Sequence, residues 1–289
     1  MKLEIRNVTK KYGKFCAVKN FSYEFTEGVY GLLGPNGAGK TTIIRILADV
    51  LNPTDGSVML NGEDIKDMDY RYRNLIGYLP QDFGVYKNFT AHRFLMYIAA
   101  LKGLSKTESQ KRIEELLEIT NLKEYSNVKT GTFSGGMKRR LGIAQALLND
   151  PKILIMDEPT AGLDPKERVR FRNLLSEISK DKIVILSTHI VSDIEYISKE
   201  IVLIKKGEIL KTGSSESLTN EIKGKVWKVL TDENGLKTIE ERFTVGNIFR
   251  NGNKIETRII SENRPDDSAE AEIPTMEDVF LYYFDELSE

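Results

Sequence analysis

Scarce cysteine, a balanced charge and the lack of long apolar runs limit what this 289-residue sequence can be. Cys16 is the only cysteine, so no disulfide forms within the chain, and a reducing compartment suits it. The 42 lysines and arginines are offset by 43 aspartates and glutamates, for a net charge of −1. Proteins that bind nucleic acid through its phosphates usually carry a basic excess, so we expect no nucleic-acid partner.

Membrane-inserting patterns are also missing. The N-terminal stretch MKLEIRNVTKKYG lacks the apolar core of a signal peptide. No window approaches the roughly 20 uncharged apolar residues that span a bilayer. We therefore expect neither a signal peptide nor a transmembrane segment, and a role at a membrane would need a partner that holds the chain there.

Strand-like and helix-like patterns alternate over most of the chain. Buried runs such as GVYGLL, KILIMDE and KIVILSTH predict an α/β fold with a largely parallel central sheet. Asp164, Pro165 and Glu167 have the spacing of an N-cap, a first helical residue and a capping box. The C-terminal stretch predicts a few strands and a closing helix capped at Thr275. Helices are predicted over 41–50, 91–102, 107–120, 134–149 and 165–180, with a short one near 190–198.

The stretch GLLGPNGAGKTT follows the apolar run GVYGLL and precedes a helical pattern. Gly34, Gly39, Lys40 and Thr41 fit the spacing G-x-x-x-x-G-K-[ST]. Glycines at these positions let successive N–H groups turn toward a phosphate chain at the start of a helix. Lys40 would reach the β- and γ-phosphates, and the Thr41 hydroxyl would complete a Mg²⁺ shell. The stretch therefore predicts a P-loop that binds a nucleoside triphosphate.

A second motif, ILIMDEPTAGLD, places two acidic residues at the end of a buried strand. Asp157 follows four apolar residues and is expected at the carboxyl end of the sheet, where ligands of α/β proteins lie. An acid there suits a second Mg²⁺ contact, and the adjacent Glu158 would point toward an attacking water.

Together, GPNGAGKTT and SGGMKRRLGIAQALLNDPKILIMDEPTAGLD resemble the nucleotide-binding subunit of an ATP-binding-cassette (ABC) transporter. The resemblance covers residues 1–220 and implies an ATPase that uses ATP and Mg²⁺. It implies a P-loop NTPase core with an antiparallel β subdomain and a helical subdomain at about 90–150. Residues 221–289 would form a small α+β extension with an accessory or dimerisation role.

The resemblance also implies the role of each site residue. Glu158, His189 and Lys40 would be catalytic, while Thr41, Gln81 and Asp157 would hold the metal. Tyr12 would stack on adenine. The nucleotide-binding set would be Tyr12, Gly34, Pro35, Asn36, Gly37, Ala38, Gly39, Lys40, Thr41 and Thr42.

A signature loop comprising Ser134, Gly135, Gly136 and Met137 would close on the ATP of a second cassette, with Asp164 alongside. The resemblance thus implies a head-to-tail homodimer or heterodimer. Met137 departs from the usual glutamine, which puts that side chain's role in doubt here. The following Lys138, Arg139 and Arg140 are expected to form a solvated basic face.

Three functions remain open from the sequence: a transporter motor, a cassette ATPase acting on ribosomes or nucleic acid, and a binding module without hydrolysis. Lys40, Glu158 and His189 are intact, which disfavours the last. The stretches LPQDFGVYKNFTAHRFLMYIAALKGL and PTMEDVFLYYF resemble ABC-2-type exporters more than importers. The expectation is a peripheral subunit at the cytoplasmic face of the cell membrane, bound through residues 81–101 to an integral membrane permease. The closing helix would pack on its own sheet or on the partner cassette.

Overall fold

The structure, a computed structural model, describes residues 1–252 and 254–285. The strands are β1 Leu3–Tyr12, β2 Phe15–Phe25, β3 Gly28–Leu33, β4 Asp55–Leu60, β5 Glu63–Asp64, β6 Ile76–Leu79, β7 Ile153–Asp157, β8 Ile183–Thr188, β9 Glu200–Lys205, β10 Glu208–Gly213, β11 Val226–Thr231, β12 Thr244–Asn251, β13 Lys254–Ile260 and β14 Glu270–Ala271. The helices are α1 Lys40–Leu47, α2 Ile65–Met68, α3 Tyr70–Leu75, α4 Ala91–Leu101, α5 Lys106–Ile119, α6 Gly135–Ala146, α7 Pro165–Ile178, α8 Ser215–Glu221, α9 Glu233–Arg242 and α10 Met276–Phe284. None of these described helices is long and apolar enough to cross a membrane.

The chain divides into two compact units, Met1–Leu210 and a second that begins at Lys211. The sequence places the junction at 220–221 instead. The structure differs because α8 packs against α10 and therefore groups with the second unit.

A six-stranded sheet of order β10-β9-β3-β8-β7-β6 forms the centre of the first unit. The pairs β3–β8, β3–β9, β7–β8 and β6–β7 are parallel, which confirms the predicted parallel core. Every residue of β7 and β8 is buried, as expected for strands covered on both faces. Because the strands are parallel, the segments that follow β3, β7 and β8 meet at one edge of the sheet.

Two further layers complete the first unit. An antiparallel sheet of order β2-β1-β4-β5 carries a tight turn at its tip, where Tyr12 pairs with Phe15 and Gly13 has a φ of 59°. Helices α4, α5 and α6 pack on one another and form the predicted helical region. The fold is therefore the predicted mixture of a P-loop core, an antiparallel β subdomain and a helical subdomain.

Two local expectations are wrong. In place of a helix near 190–198, the structure has one 3-10 turn at Val191–Asp193. Asp164 caps α7 by accepting from the Glu167 N–H, but the Glu167 carboxylate pairs with Arg140 instead of closing a capping box. Both charged groups are largely shielded from solvent, so their attraction is little screened and it holds the carboxylate beside Arg140.

The second unit contains a sheet of order β12-β13-β11-β14 with helices packed on it. Helix α9 contacts β11, β12 and β13, over a small core of Val229, Ile259 and Ala269. Helix α10 is capped by Thr275 as predicted, and it contacts α8, β12 and β13. The closing helix therefore packs on its own unit.

Candidate active site

The loop between β3 and α1 leaves no room for a Cβ at two of its glycines. At Gly39, φ is 103°, and a Cβ would lie 2.5 Å from the carbonyl oxygen of Ala17. At Gly34, a Cβ would lie 2.3 Å from the carbonyl oxygen of Ile204. The loop ends at the first turn of α1, whose N–H groups and helix dipole favour an anion. The geometry is that of a phosphate-binding loop.

Lys40 is buried inside this loop. Its Nζ donates to the carbonyl oxygens of Gly34 at 2.6 Å and Pro35 at 3.0 Å. Burial lowers the pKa of Lys40, while the nearby charges of Glu158 and Asp157 act in the opposite direction. The ammonium is therefore held where a phosphate chain cradled by the loop would meet it.

Asp157 ends β7 beside the first turn of α1. Its Oδ1 accepts from the hydroxyls of Thr41, at 3.2 Å, and Ser187. Its Oδ2 is buried and has no hydrogen-bond partner. A buried carboxylate oxygen without a partner is costly, and a hard divalent cation is the ligand that such an oxygen suits. The donor set therefore fits Mg²⁺.

Glu158 has a strained backbone, with a φ of 49°. For a residue other than glycine, the left-handed region costs on the order of 1–2 kcal/mol. Its N–H donates to the carbonyl oxygen and the hydroxyl of Ser187, at 3.2 and 3.1 Å. Its carboxylate oxygens lie 3.1 and 3.0 Å from Nδ1 of His189. Strain of this kind is typical of active sites, and here it aims an acid at a histidine.

An open cleft of about 840 Å³ joins the phosphate-binding loop to Glu158. Its lining consists of Tyr12, Phe15, Ala17, Asn36, Gly37, Ala38, Gly39, Lys40, Thr41, Thr42, Gln81 and Glu158. Tyr12 thus reaches the cleft from the hairpin tip. Phe15 was missed by the sequence reasoning, although the short turn YGKF, which brings the two aromatic residues opposite each other, was the available signal.

The signature loop lies outside the lining of this cleft. Ser134 caps α6, and its hydroxyl accepts from the Met137 N–H at 3.1 Å. A Cβ on Gly136 would lie 3.2 Å from the carbonyl oxygen of Gly162, so the signature packs on the loop that leads to Asp164. The structure therefore brings the predicted signature and Asp164 segments together, at a place separate from the P-loop cleft.

Comparison with known proteins identifies the family. The family described as "ABC transporter" matches residues 18–161. The chain is 42% identical over 241 residues to "Uncharacterized ABC transporter ATP-binding protein YxlF" of Bacillus subtilis (strain 168), over 83% of this chain and 80% of that protein. The chain belongs to the ABC transporter ATP-binding family.

Other relatives of this ABC cassette carry export or resistance names. It is 36% identical to "Linearmycin resistance ATP-binding protein LnrL" of Bacillus subtilis (strain 168), over 77% of this chain and 72% of that protein. It is 35% identical to "Nod factor export ATP-binding protein I" of Burkholderia orbicola (strain AU 1054), over 75% of this chain and 72% of that protein.

A solved cassette, MJ0796, matches with a TM-score of 0.68 and 29% identity, over 73% of this chain and 98% of that one. One of its structures is described as a dimer, and another as a post-hydrolysis state bound to ADP and Pi. The predictions of the ABC ATPase fold, of ATP binding and of ATP hydrolysis are confirmed.

Within this ABC cassette, the expectation of a solvated basic face is wrong at two of its three residues. Arg139 is only 5% exposed and donates to five backbone carbonyl oxygens. Burial lowers the pKa of Arg139 to about 10, although the charges of Asp157 and Glu158 raise it, so the guanidinium stays charged at neutral pH. Arg140 donates to the carbonyl oxygens of Thr120 and Asn121. Both arginines fasten α6 to the rest of the unit because their donors reach backbone carbonyls.

Proposed function

We propose that this chain is the motor subunit of an ABC exporter, which drives transport through a separate membrane permease. The convergence of Lys40, Asp157, Glu158 and His189 at one edge of the sheet carries the ATPase part of the proposal. The export part is supported by the printed names of the relatives, one of which is a Nod factor export protein and another a linearmycin resistance protein.

Each site residue would have a separate role in ATP hydrolysis. Glu158 orients a water molecule and takes its proton, and His189, 3.0 Å from the Glu158 carboxylate, keeps that carboxylate in place and faces the γ-phosphate. Lys40 and the loop N–H groups stabilise the negative charge that develops on the phosphoryl oxygens. Thr41, Asp157 and Gln81 would hold Mg²⁺, which supplies further charge neutralisation on the β- and γ-phosphates.

A second cassette completes the site in this proposal. The cleft takes its lining from the P-loop, the hairpin tip, Gln81 and Glu158, whereas the N–H groups of the signature loop lie elsewhere in the unit. Two copies arranged head to tail would put the signature of one over the cleft of the other. The dimeric structure of the MJ0796 cassette supports the pairing of two cassettes.

An aromatic cluster supports the permease contact at residues 81–101. Tyr86 and Tyr97 are 51% and 39% exposed, with their ring centroids 5.4 Å apart. Phe89 packs against both of them and under the guanidinium of Arg93. Exposed aromatic and arginine side chains are favoured anchors of protein interfaces. Such a contact would hold the chain at the cytoplasmic face of the membrane.

Replacement of Glu158 by glutamine tests the ATPase mechanism. Loss of a positioned base is expected to lower kcat by about 10²–10⁴-fold, or about 3–5 kcal/mol. ATP affinity should stay near wild type because the P-loop is untouched, and the stalled protein should accumulate as a dimer with ATP in light scattering. Glu114→Gln, at an exposed position on α5, is the matched control. Near wild-type hydrolysis in Glu158→Gln would contradict the assignment of the base.

Co-expression tests the transport part of the proposal. The chain is expected to purify with a polytopic membrane protein encoded beside its own gene, and Tyr86→Ser with Tyr97→Ser is expected to release it. ATP hydrolysis by the isolated cassette should be unchanged in that double variant. Retention of the membrane protein by the double variant would move the contact away from this cluster.

A further inference from the structure

One guanidinium joins three parts of the catalytic unit. Arg139 Nη1 donates to the carbonyl oxygens of Pro80 and Gln81, at 2.7 and 3.0 Å. Its Nε donates to the carbonyl oxygen of Pro159, at 3.1 Å, and its Nη2 donates to the carbonyl oxygens of Asp157 and Glu158. The side chain belongs to α6, so the helix that follows the signature loop is fastened to the ends of both β6 and β7.

We propose that Arg139 is a positioning residue for hydrolysis: it holds the backbone of Glu158 and Gln81 in the arrangement that aims both side chains into the cleft. The inference rests on the proposed roles of those two residues. Arg139 itself touches no reacting group, because its partners are main-chain carbonyls.

The backbone of Glu158 needs such a partner. Its left-handed conformation persists only where the surroundings determine it from both sides. Ser187 binds the N–H of Glu158 and Arg139 binds its carbonyl oxygen, so both ends of the residue are fixed. Without the guanidinium, only the Ala161 N–H, at 3.2 Å, still holds that carbonyl oxygen, so the peptide that follows Glu158 is freer to rotate and the carboxylate can leave its position 3.0 Å from His189.

Arginine is the side chain that this junction requires. A guanidinium has five N–H donors in a fixed plane, and all five reach a carbonyl oxygen here. A lysine ammonium has three donors on a flexible stem and cannot satisfy the same set. The positive charge of the guanidinium also strengthens these hydrogen bonds, because the negative ends of five carbonyl dipoles point at it.

The same contacts couple Gln81 to Glu158. Since one rigid group binds both backbones, a shift of α6 moves the metal-side glutamine and the acid together. The signature loop begins this helix at Ser134, so its engagement by a second cassette would reach both catalytic side chains through Arg139.

Steady-state ATP hydrolysis by Arg139→Met and Arg139→Lys tests the proposal. Methionine retains the length but removes every donor, and kcat is expected to fall about 100-fold, as misplacement of a reacting group by about 1 Å does. KM and the affinity for an ATP analogue should remain close to wild type, because Arg139 does not contact the P-loop. Lysine is expected to give an intermediate kcat. Arg112→Met is the matched control, since Arg112 on α5 donates to the carbonyl oxygen of Leu147, at the C-terminal end of α6, and to none of the five carbonyl oxygens that Arg139 binds.

Rates are taken per molecule that binds the ATP analogue, so that loss of folded protein does not count as loss of activity. If Arg139→Met does not fold, the kcat of Arg139→Lys decides. An unchanged kcat in the variant that folds, or a raised KM with kcat intact, overturns the positioning role. Glu158→Gln, assayed in parallel, separates the two proposals: if it hydrolyses ATP normally, the proposed base is wrong, whatever Arg139 does.

Discussion

Three glycines of the phosphate loop allow backbone strain and steric overlap to be measured separately. Gly37 has a φ of 82°, and a Cβ added there would have nothing within 4 Å, so Gly37→Ala introduces strain alone. Gly34 has no positive φ, and its Cβ would lie 2.3 Å from the Ile204 carbonyl oxygen, so Gly34→Ala introduces overlap alone. Gly39→Ala introduces both, at a φ of 103° and 2.5 Å from the Ala17 carbonyl oxygen.

The expected losses of unfolding free energy follow from these two effects. Left-handed strain is on the order of 1–2 kcal/mol, which is the expectation for Gly37→Ala. Overpacking costs about 1–3 kcal/mol, which is the expectation for Gly34→Ala, because the opposing oxygen belongs to the hydrogen-bonded backbone of β9. Gly39→Ala should lose about 2–5 kcal/mol, near the sum.

Urea unfolding followed by far-UV circular dichroism measures these losses. Trp227, the only tryptophan, lies in the second unit, so its fluorescence reports a transition that all three variants should leave unchanged. ATP titration gives a second contrast: Gly37→Ala should be the most stable of the three variants and still bind ATP weakly, since residue 37 lines the cleft. A Gly39→Ala variant as stable as Gly37→Ala would refute the reasoning.

Two further predictions concern the hairpin tip and the second unit. Tyr12→Ala should weaken ATP binding by about 1–3 kcal/mol, because stacking on the base is lost. Phe15→Ala should also weaken ATP binding, because Phe15 is the other aromatic residue in the lining of the cleft. Unchanged ATP titrations of the two variants would contradict this prediction. Asp278→Asn should destabilise the second unit by about 1.5–3 kcal/mol, measured by Trp227 fluorescence in urea, because Arg258 keeps only Glu272 of its two charged partners; exposed Asp267→Asn is the control. Burial raises the pKa of Asp278, but the hydrogen bonds from Arg258 and Thr275 lower it by more, so the folded pKa lies below the ordinary value of 3.8. The extra free energy of unfolding that wild type has over Asp278→Asn is therefore fully present above pH 3.8, and it is lost as the pH falls through the folded pKa.

The sequence predicted those parts of the site that follow one another along the chain. Gly34 to Thr42 form one continuous segment, a loop and the first turn of α1, and Asp157 and Glu158 stand together at the end of β7, so spacing alone identifies them. Alternating strands and helices then place both segments at the same sheet edge, because parallel strands share their carboxyl ends. The positions of α1, α4, α5, α6 and α7 were predicted to within a few residues for the same reason: their apolar spacing is local.

Contacts between distant segments escaped prediction. A run of Lys138, Arg139 and Arg140 is typical of a solvated helix face, and only the packing of α6 on the ends of β6 and β7 buries Arg139. The Glu167 capping box failed similarly: its local pattern was correct, but Arg140, on another helix, takes the carboxylate. The sequence of a basic run does not show that one of its residues is buried against the end of a distant strand.

The unusual Met137 of the signature loop is compatible with the proposed dimer because the loop's anion site is built from its backbone. The Ser134 hydroxyl accepts from the N–H of residue 137, a bond that is the same for methionine and glutamine. A hydroxyl that accepts this bond keeps its own O–H as a donor for a phosphate. Gly135 has open space where a Cβ would project, so a triphosphate held by another cassette has room to approach the start of α6. In the proposed dimer, the anion site therefore lies in Ser134 and in the helix start behind it, and it does not depend on the side chain at 137.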